Sequence, residues 1–227
     1  MTKTLLITGA SSGIGAAVAR RAVECGWNVA LGARNQEKLA ALSSELGAER
    51  SLAQRADVTD FAQLEFFAAA TVERFGGIDA VFANAGFGAR RGFTEETVEH
   101  WREMVLTNVL GCALTIRACM PQILENQGHF VLTGSVAGTR ALPGSLYSST
   151  KFAVHGMAES LRQELNGSGA RVTLIAPGMV DTPFFDKGAG PGSLAADDVA
   201  RAVHYALDQP ASVDVNMVLV RPTAQDT

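Results

Sequence analysis

Seven short aliphatic runs, separated by stretches of helical period, constrain this chain's fold more than any other feature. "TLLIT" (4–8), "NVALGA" (28–33), "IDAVFA" (78–83), "HFVLTG" (129–134), "RVTLIA" (171–176) and "NMVLV" (216–220) are nearly uninterrupted, and "ERSLAQRAD" (49–57) is weaker. Runs without polar alternation suit strands covered on both faces, as in a parallel sheet. Between them, Ile14, Val18 and Ala22 share a helical face, as do Leu39, Leu42 and Leu46, then Phe61, Leu64, Phe67 or Ala68, Thr71 and Phe75. Longer helical patterns cover about 98–125, 145–166 and 195–207. Gly26, Gly47, Gly76 and Gly167 stand where helices should end, and Ser193 or Asp197 is the expected cap of the last one. The alternation predicts one α/β domain: a Rossmann-type, doubly wound parallel sheet of about seven strands with helices on both faces. "PFFDKGAGPGSL" (183–194) reads as a mobile loop.

In such a sheet, ligands meet the turns at the strands' carboxyl ends. The first turn is "TGASSGIG" (8–15), with glycines at 9, 13 and 15. It is neither G-x-G-x-x-G nor a P-loop, because no G-K-[ST] follows. Its place between strand and helix still suits an anion, since the amides of a helix N-terminus point outward. Taken alone, an ordinary glycine-rich connection explains it equally well.

A second candidate lies later. Tyr147 and Lys151 are four residues apart on one helix and share a face. A free phenol ionises near 10, and a neighbouring ammonium favours the phenolate, bringing it toward the range useful for proton transfer. Ser135, just past "HFVLTG", stands at a strand's carboxyl end, where its hydroxyl can bond a carbonyl and steady an oxyanion. "TGSVA" is not the G-x-S-x-G elbow of a serine hydrolase.

These motifs recur in a fixed order: "TGASSGIG" (8–15), Asp57-Val58, "NAG" (84–86), Asn108, Ser135, "YSSTK" (147–151) and "PGMVDT" (177–182). In that order, over nearly its whole length, the chain resembles the short-chain dehydrogenase/reductase family. The resemblance implies a nicotinamide cofactor. Gly9, Ser11, Ser12, Gly13, Ile14 and Gly15 would hold the pyrophosphate, with Gly15 letting the helix pack on the sheet. Asp57 and Val58 would meet the adenine, Asn84, Ala85 and Gly86 would shape the turn beside the ribose, and Pro177, Gly178, Val180 and Thr182 would border the nicotinamide. Tyr147 would exchange a proton with the carbonyl oxygen, Ser135 would orient that carbonyl, and Lys151 would hold the ribose and lower the tyrosine's pKa. Asn108 would hold a water linking Lys151 to solvent.

The second strand ends "LGARN", placing Arg34 where an acidic residue would favour NAD; NADP(H) is expected instead. Many NADP-using relatives carry a second basic residue in the glycine turn, where this chain has Ser12. The expected activity is interconversion of a small or medium apolar ketone or aldehyde and its alcohol. An NAD-dependent alcohol dehydrogenase and a non-catalytic NADP sensor are the alternatives. Phe87, Phe93, Leu142, Met179, Phe184 and Phe185 are expected to wall the substrate pocket, and Arg90, Arg91 or Arg140 could greet a carboxylate.

Composition excludes other classes. Net charge is −4 and no basic tract exceeds Arg90-Arg91, so nucleic acid and membranes are not expected partners. The four histidines are scattered, so no metal site is expected, and Cys25, Cys112 and Cys119 read as core packing. No apolar run of membrane-spanning length and no leader is apparent, so a cytoplasmic location is expected. Family habit implies a homodimer or homotetramer joined through the helices at 98–125 and 145–166.

Overall fold

The computed structural model describes residues 2–184 and 188–225. In chain order its elements are β1 (Thr4–Thr8), α1 (Gly13–Glu24), β2 (Asn28–Ala33), α2 (Gln36–Leu46), β3 (Ser51–Arg55), α3 (Phe61–Phe75) and β4 (Ala80–Ala83). There follow α4 (Val98–Val105), a π-helical turn (Leu106–Leu110), α5 (Gly111–Glu125), β5 (His129–Thr133), a 3₁₀ turn (Val136–Gly138) and α6 (Leu146–Glu164). The chain closes with β6 (Arg171–Pro177), β7 (Val180–Asp181), β8 (Leu194–Ala195), α7 (Ala196–Leu207) and β9 (Met217–Val220). Seven strands form one parallel sheet in the order β3-β2-β1-β4-β5-β6-β9, while β7 and β8 make a separate small pair.

Each central strand feeds two cores. Leu5, Ile7, Val29, Leu31 and Phe82 pack under α1, α2 and α7, whereas Leu6, Ala30, Val81, Phe130 and Leu132 pack under α3, α5 and α6. This is why the runs show no polar alternation: both faces of the pleat are dry. Helix starts follow local chemistry. Asn35, Asp60, Thr97 and Ser145 each accept a backbone N–H three residues on. Gly76, at φ 88°, ends α3 by donating its N–H to the Val72 carbonyl at 2.8 Å.

Three expectations need correction. Helix α7 is capped neither by Ser193 nor by Asp197. Leu194–Ala195 is drawn into pairing with Val180–Asp181, so the helix starts at Ala196 with Asp197 inside its first turn, and Asp198 accepts the Ala195 N–H at 2.8 Å. Within the 183–194 stretch Leu194 pairs with Val180 and Ala189 is buried, while residues 185–187 lie outside the described residues. Cys25 is exposed because it sits past the last turn of α1; only Cys112 and Cys119 pack in the core. Finally, by length and composition the continuous helix Val98–Glu125 could cross a membrane. In the fold it covers the sheet: Met104, Cys112, Ile116, Cys119 and Ile123 are buried, while Val98, Val105, Leu106, Leu110 and Leu124 form its exposed apolar side.

Candidate active site

Strand order reverses between β1 and β4, so their outgoing turns border a crevice at the carboxyl edge of the sheet. The glycine turn is folded into it. Gly9 (φ 68°) lies so close to the next turn that a Cβ there would meet the Ala85 Cα at 2.9 Å. A Cβ on Gly13 (φ 54°) would meet the Thr182 side chain at 3.2 Å. Gly15 packs against the Gly9 carbonyl and the Asn84 side chain, just past the ends of β1 and β4, so a Cβ there would clash with the turn. Ser12 begins α1 with extended backbone and no side-chain capping bond, and Ser11, Ser12 and Ile14 are half-buried. The amides of the first turn therefore have no competing hydroxyl partner from the cap.

Asn84 locks the crevice together. Its N–H donates to Thr8 Oγ1, its side-chain amide donates to the Thr8 and Gly9 carbonyls, and its Oδ1 accepts from Thr133 Oγ1 at 3.3 Å. Beyond the turn, Arg34 is exposed at the end of β2 beside buried Ala33. Asp57 accepts the Thr59 N–H and hydroxyl on Oδ1, and Val58 is buried against Gly111. Gly86 approaches Asn108 Oδ1, which a Cβ would meet at 3.0 Å.

Ser135, Tyr147 and Lys151 converge on the opposite side. Ser135 follows β5, is buried, accepts the Ala137 N–H at 3.1 Å and reaches the Pro177 carbonyl at 3.4 Å. Its hydroxyl is near enough to the Tyr147 phenol to favour the phenolate. Lys151 is buried, donates to the Thr133 carbonyl at 2.8 Å and stands 5.7 Å from the centre of the Tyr147 ring. The electrostatics depart from expectation. Burial pushes Tyr147 up to about 12, with the Ser135 hydroxyl opposing, and brings Lys151 down to about 8. In this environment burial disfavours the charged form of both groups, holding the phenol above and the amine below its ordinary range.

Asn108 sits in the π-helical turn. Its Oδ1 accepts the Phe87 N–H at 3.0 Å, and its amide donates to the Phe87 carbonyl at 2.9 Å and to Thr150 Oγ1 at 3.1 Å. The side chain thus clamps the segment after "NAG" to α6. Of the expected pocket walls, Phe184 lies against Tyr147, and Phe87 packs edge-on to His100 at 5.1 Å. Phe93 is exposed and packs on Trp101, and Phe185 lies outside the described residues. Arg90 is held by Glu96, so it is not a free carboxylate receptor. Pro177 ends β6, Val180 is buried in β7, and Thr182 accepts the Phe184 N–H at 3.4 Å.

Sequence reasoning missed His155, whose Nε2 accepts the Ser135 N–H at 3.4 Å. Its ring fills the space beside Gly134 and Gly138, where a Cβ on either would lie 2.6 Å away. Its spacing, four residues past Lys151 on the same helical face, was the available signal.

A sequence model of the short chain dehydrogenase family matches residues 3–189. The chain belongs to that family. It is 38% identical to an uncharacterised oxidoreductase of Staphylococcus saprophyticus, over 97% of both chains. Among solved structures it superposes on an alcohol dehydrogenase of the archaeon Thermococcus sibiricus, complexed with 5-hydroxy-NADP (TM-score 0.92, 33% identity, 100% and 99% of the two chains). It likewise matches serine dehydrogenase from Escherichia coli (TM-score 0.90, 32% identity, 99% and 100%). The protein is thus a short-chain dehydrogenase by sequence and by fold. The fold of this family binds NAD(P). This crevice fits such a cofactor: Gly9 and Gly13 hold positive φ in a turn opening onto free helix amides, and the Arg34 guanidinium has no protein partner among the described residues.

Proposed function

We propose that this short-chain dehydrogenase is an NADP(H)-dependent oxidoreductase that interconverts a small or medium apolar ketone or aldehyde and its alcohol. The observation that carries the reading is the placing of the Ser135 hydroxyl and the Lys151 amine beside Tyr147, the amine 5.7 Å from the centre of its ring. A bound nicotinamide supplies or accepts the hydride. The residues do the rest. Ser135 orients the carbonyl oxygen. On reduction the Tyr147 O–H breaks and its proton passes to that oxygen; on oxidation the proton returns. Lys151, anchored on the Thr133 carbonyl, keeps positive charge beside the phenol and can reach a ribose. Gly9 to Gly15 receive the pyrophosphate, Asp57 and Val58 the adenine, and Asn84 to Gly86 the ribose. Pro177, Gly178, Val180 and Thr182 border the nicotinamide, and Asn108 supports the wall through Phe87.

The preference for NADP(H) rests on Arg34 and on the absence of a carboxylate at Ala33; the archaeal relative's complex with an NADP derivative is consistent with it. The exposed apolar side of Val105, Leu106 and Leu110, with Phe152 on α6, suits a homodimer or homotetramer joined through these helices. Three free cysteines suit a reducing cytoplasm. The test is a panel of ketones and aldehydes followed by loss of NADPH absorbance, run beside Tyr147→Phe. That variant should bind cofactor normally and turn over about a hundredfold or more slowly. Near-normal turnover by Tyr147→Phe, with chemistry rate-limiting, removes the acid–base assignment.

A further inference from the structure

Near its end the chain returns to the crevice. After β9, residues 222–225 close a turn in which the Gln225 N–H donates to the Pro222 carbonyl at 3.0 Å. The turn directs the Gln225 side chain back to the strand-end segment that follows β6, where its Oε1 accepts the Met179 N–H at 2.9 Å. Gly178 makes the approach possible. A Cβ there would collide with Gln225 Oε1 and lie 3.0 Å from Pro222 Cδ. The same segment is held on two other sides: Gly178 donates to the Val220 carbonyl at 2.7 Å, and the Met179 carbonyl accepts the Leu194 N–H at 2.9 Å. Of these three ties only the one from Gln225 is made by a side chain, so only it depends on residue type.

We infer that Gln225 is a positioning residue: its side-chain carbonyl clasps the Met179 amide and holds Gly178–Thr182 in the shape that receives the nicotinamide half of the cofactor. This rests on the proposed function for the identity of the bound group, and on the structure alone for the clasp. Thr182 lies against Gly13 of the pyrophosphate turn, so a loosened segment would widen the crevice at the end away from the adenosine. The nicotinamide half should therefore feel the loss and the adenosine half should not.

The experiment compares Gln225→Met, which fills similar volume without an acceptor, with Gln225→Glu, which retains one. Amide hydrogen exchange at Met179 reads the clasp directly and should quicken about three- to tenfold in the Met variant, as expected for loss of one ordinary hydrogen bond. Affinities for NADPH and for 2′,5′-ADP, measured by calorimetry, read the consequence. Gln225→Met should weaken NADPH about three- to tenfold and leave 2′,5′-ADP unchanged, while Gln225→Glu should resemble wild type in both. Unchanged Met179 exchange in Gln225→Met overturns the clasp. Equal losses for both ligands, or a Glu variant as impaired as the Met variant, overturn the positioning role and leave only packing. If wild type binds neither NADPH nor NADH, the proposed function falls, and Met179 exchange still decides the clasp.

Discussion

The ring of Phe184 lies edge-on to the ring of Tyr147, with centroids 5.6 Å apart and planes inclined at 62°. The same ring fills the space left by Gly88, where a Cβ would approach Phe184 Cζ to 2.8 Å. Gly88 is itself held by His100, whose Nε2 meets its carbonyl at 2.8 Å, and its neighbour Phe87 is clamped by Asn108. Phe184 thus lies against the candidate catalytic tyrosine, and its position depends on a glycine in another segment. Phe184→Ala should change kcat/KM by an amount graded with carbonyl size, losing up to about 1–3 kcal/mol where apolar contact disappears. Gly88→Ala should displace the ring and reproduce that pattern. Steady-state kinetics over a homologous series of ketones decides it: a uniform change that follows the melting temperature marks the contact as structural.

Proton loss from Lys151 should shape the pH profile. Burial lowers its pKa from 10.5 to about 8 and raises that of Tyr147 to about 12, so the lysine deprotonates first as pH rises. The phenol stays protonated, but the positive charge beside it goes. For carbonyl reduction, kcat/KM should be level below about pH 8 and fall above it. Lys151→Arg, which keeps its charge, should flatten the alkaline limb even if the absolute rate drops.

Arg34 should discriminate between the two nicotinamide dinucleotides. Only NADPH carries a 2′-phosphate, and a charge-assisted hydrogen bond contributes about 1.5–3 kcal/mol. Arg34→Ala should weaken NADPH roughly tenfold or more relative to NADH, measured as the ratio of dissociation constants. Ala33→Asp should tilt the ratio the same way by repulsion. Equal losses for both cofactors would falsify the phosphate-reading role.

Acid should destabilise the fold through His129. This side chain is buried on β5; its Nε2 meets Thr173 Oγ1 at 2.7 Å and its Nδ1 has no partner among the described residues. Burial, with the Arg171 charge in support, lowers its pKa from 6.5 to about 3. Between those values the unfolded chain binds the proton and the folded one does not. Stability from this group is therefore full above pH 6.5 and lost as pH falls toward about 3, at up to about 1.4 kcal/mol per pH unit. Burial lowers the pKa of His204, between α1 and α7, in the same sense. Urea unfolding midpoints between pH 7 and pH 4 should show the slope, and His129→Leu should reduce it.

The sequence by itself determined the layered architecture and the family to which the chain belongs. Uninterrupted runs such as "TLLIT" and "HFVLTG" encode strands dry on both faces, and the four-residue spacing of Tyr147 and Lys151 encodes a shared helical face, because both are local properties of backbone period. What joins distant segments was not legible. That Gly15 packs on Gly9 and Asn84, that Phe184 needs Gly88, and that Gln225 reaches Met179 depend on contacts with no local signature. The cap of α7 shifted for the same reason, since pairing of Leu194–Ala195 with Val180–Asp181 outweighed the local preference of Ser193. The state of Tyr147 was decided there too. A neighbouring lysine on the helix favours a lowered phenol pKa, whereas packing in the tertiary fold pushes it up by removing water that would solvate the phenolate.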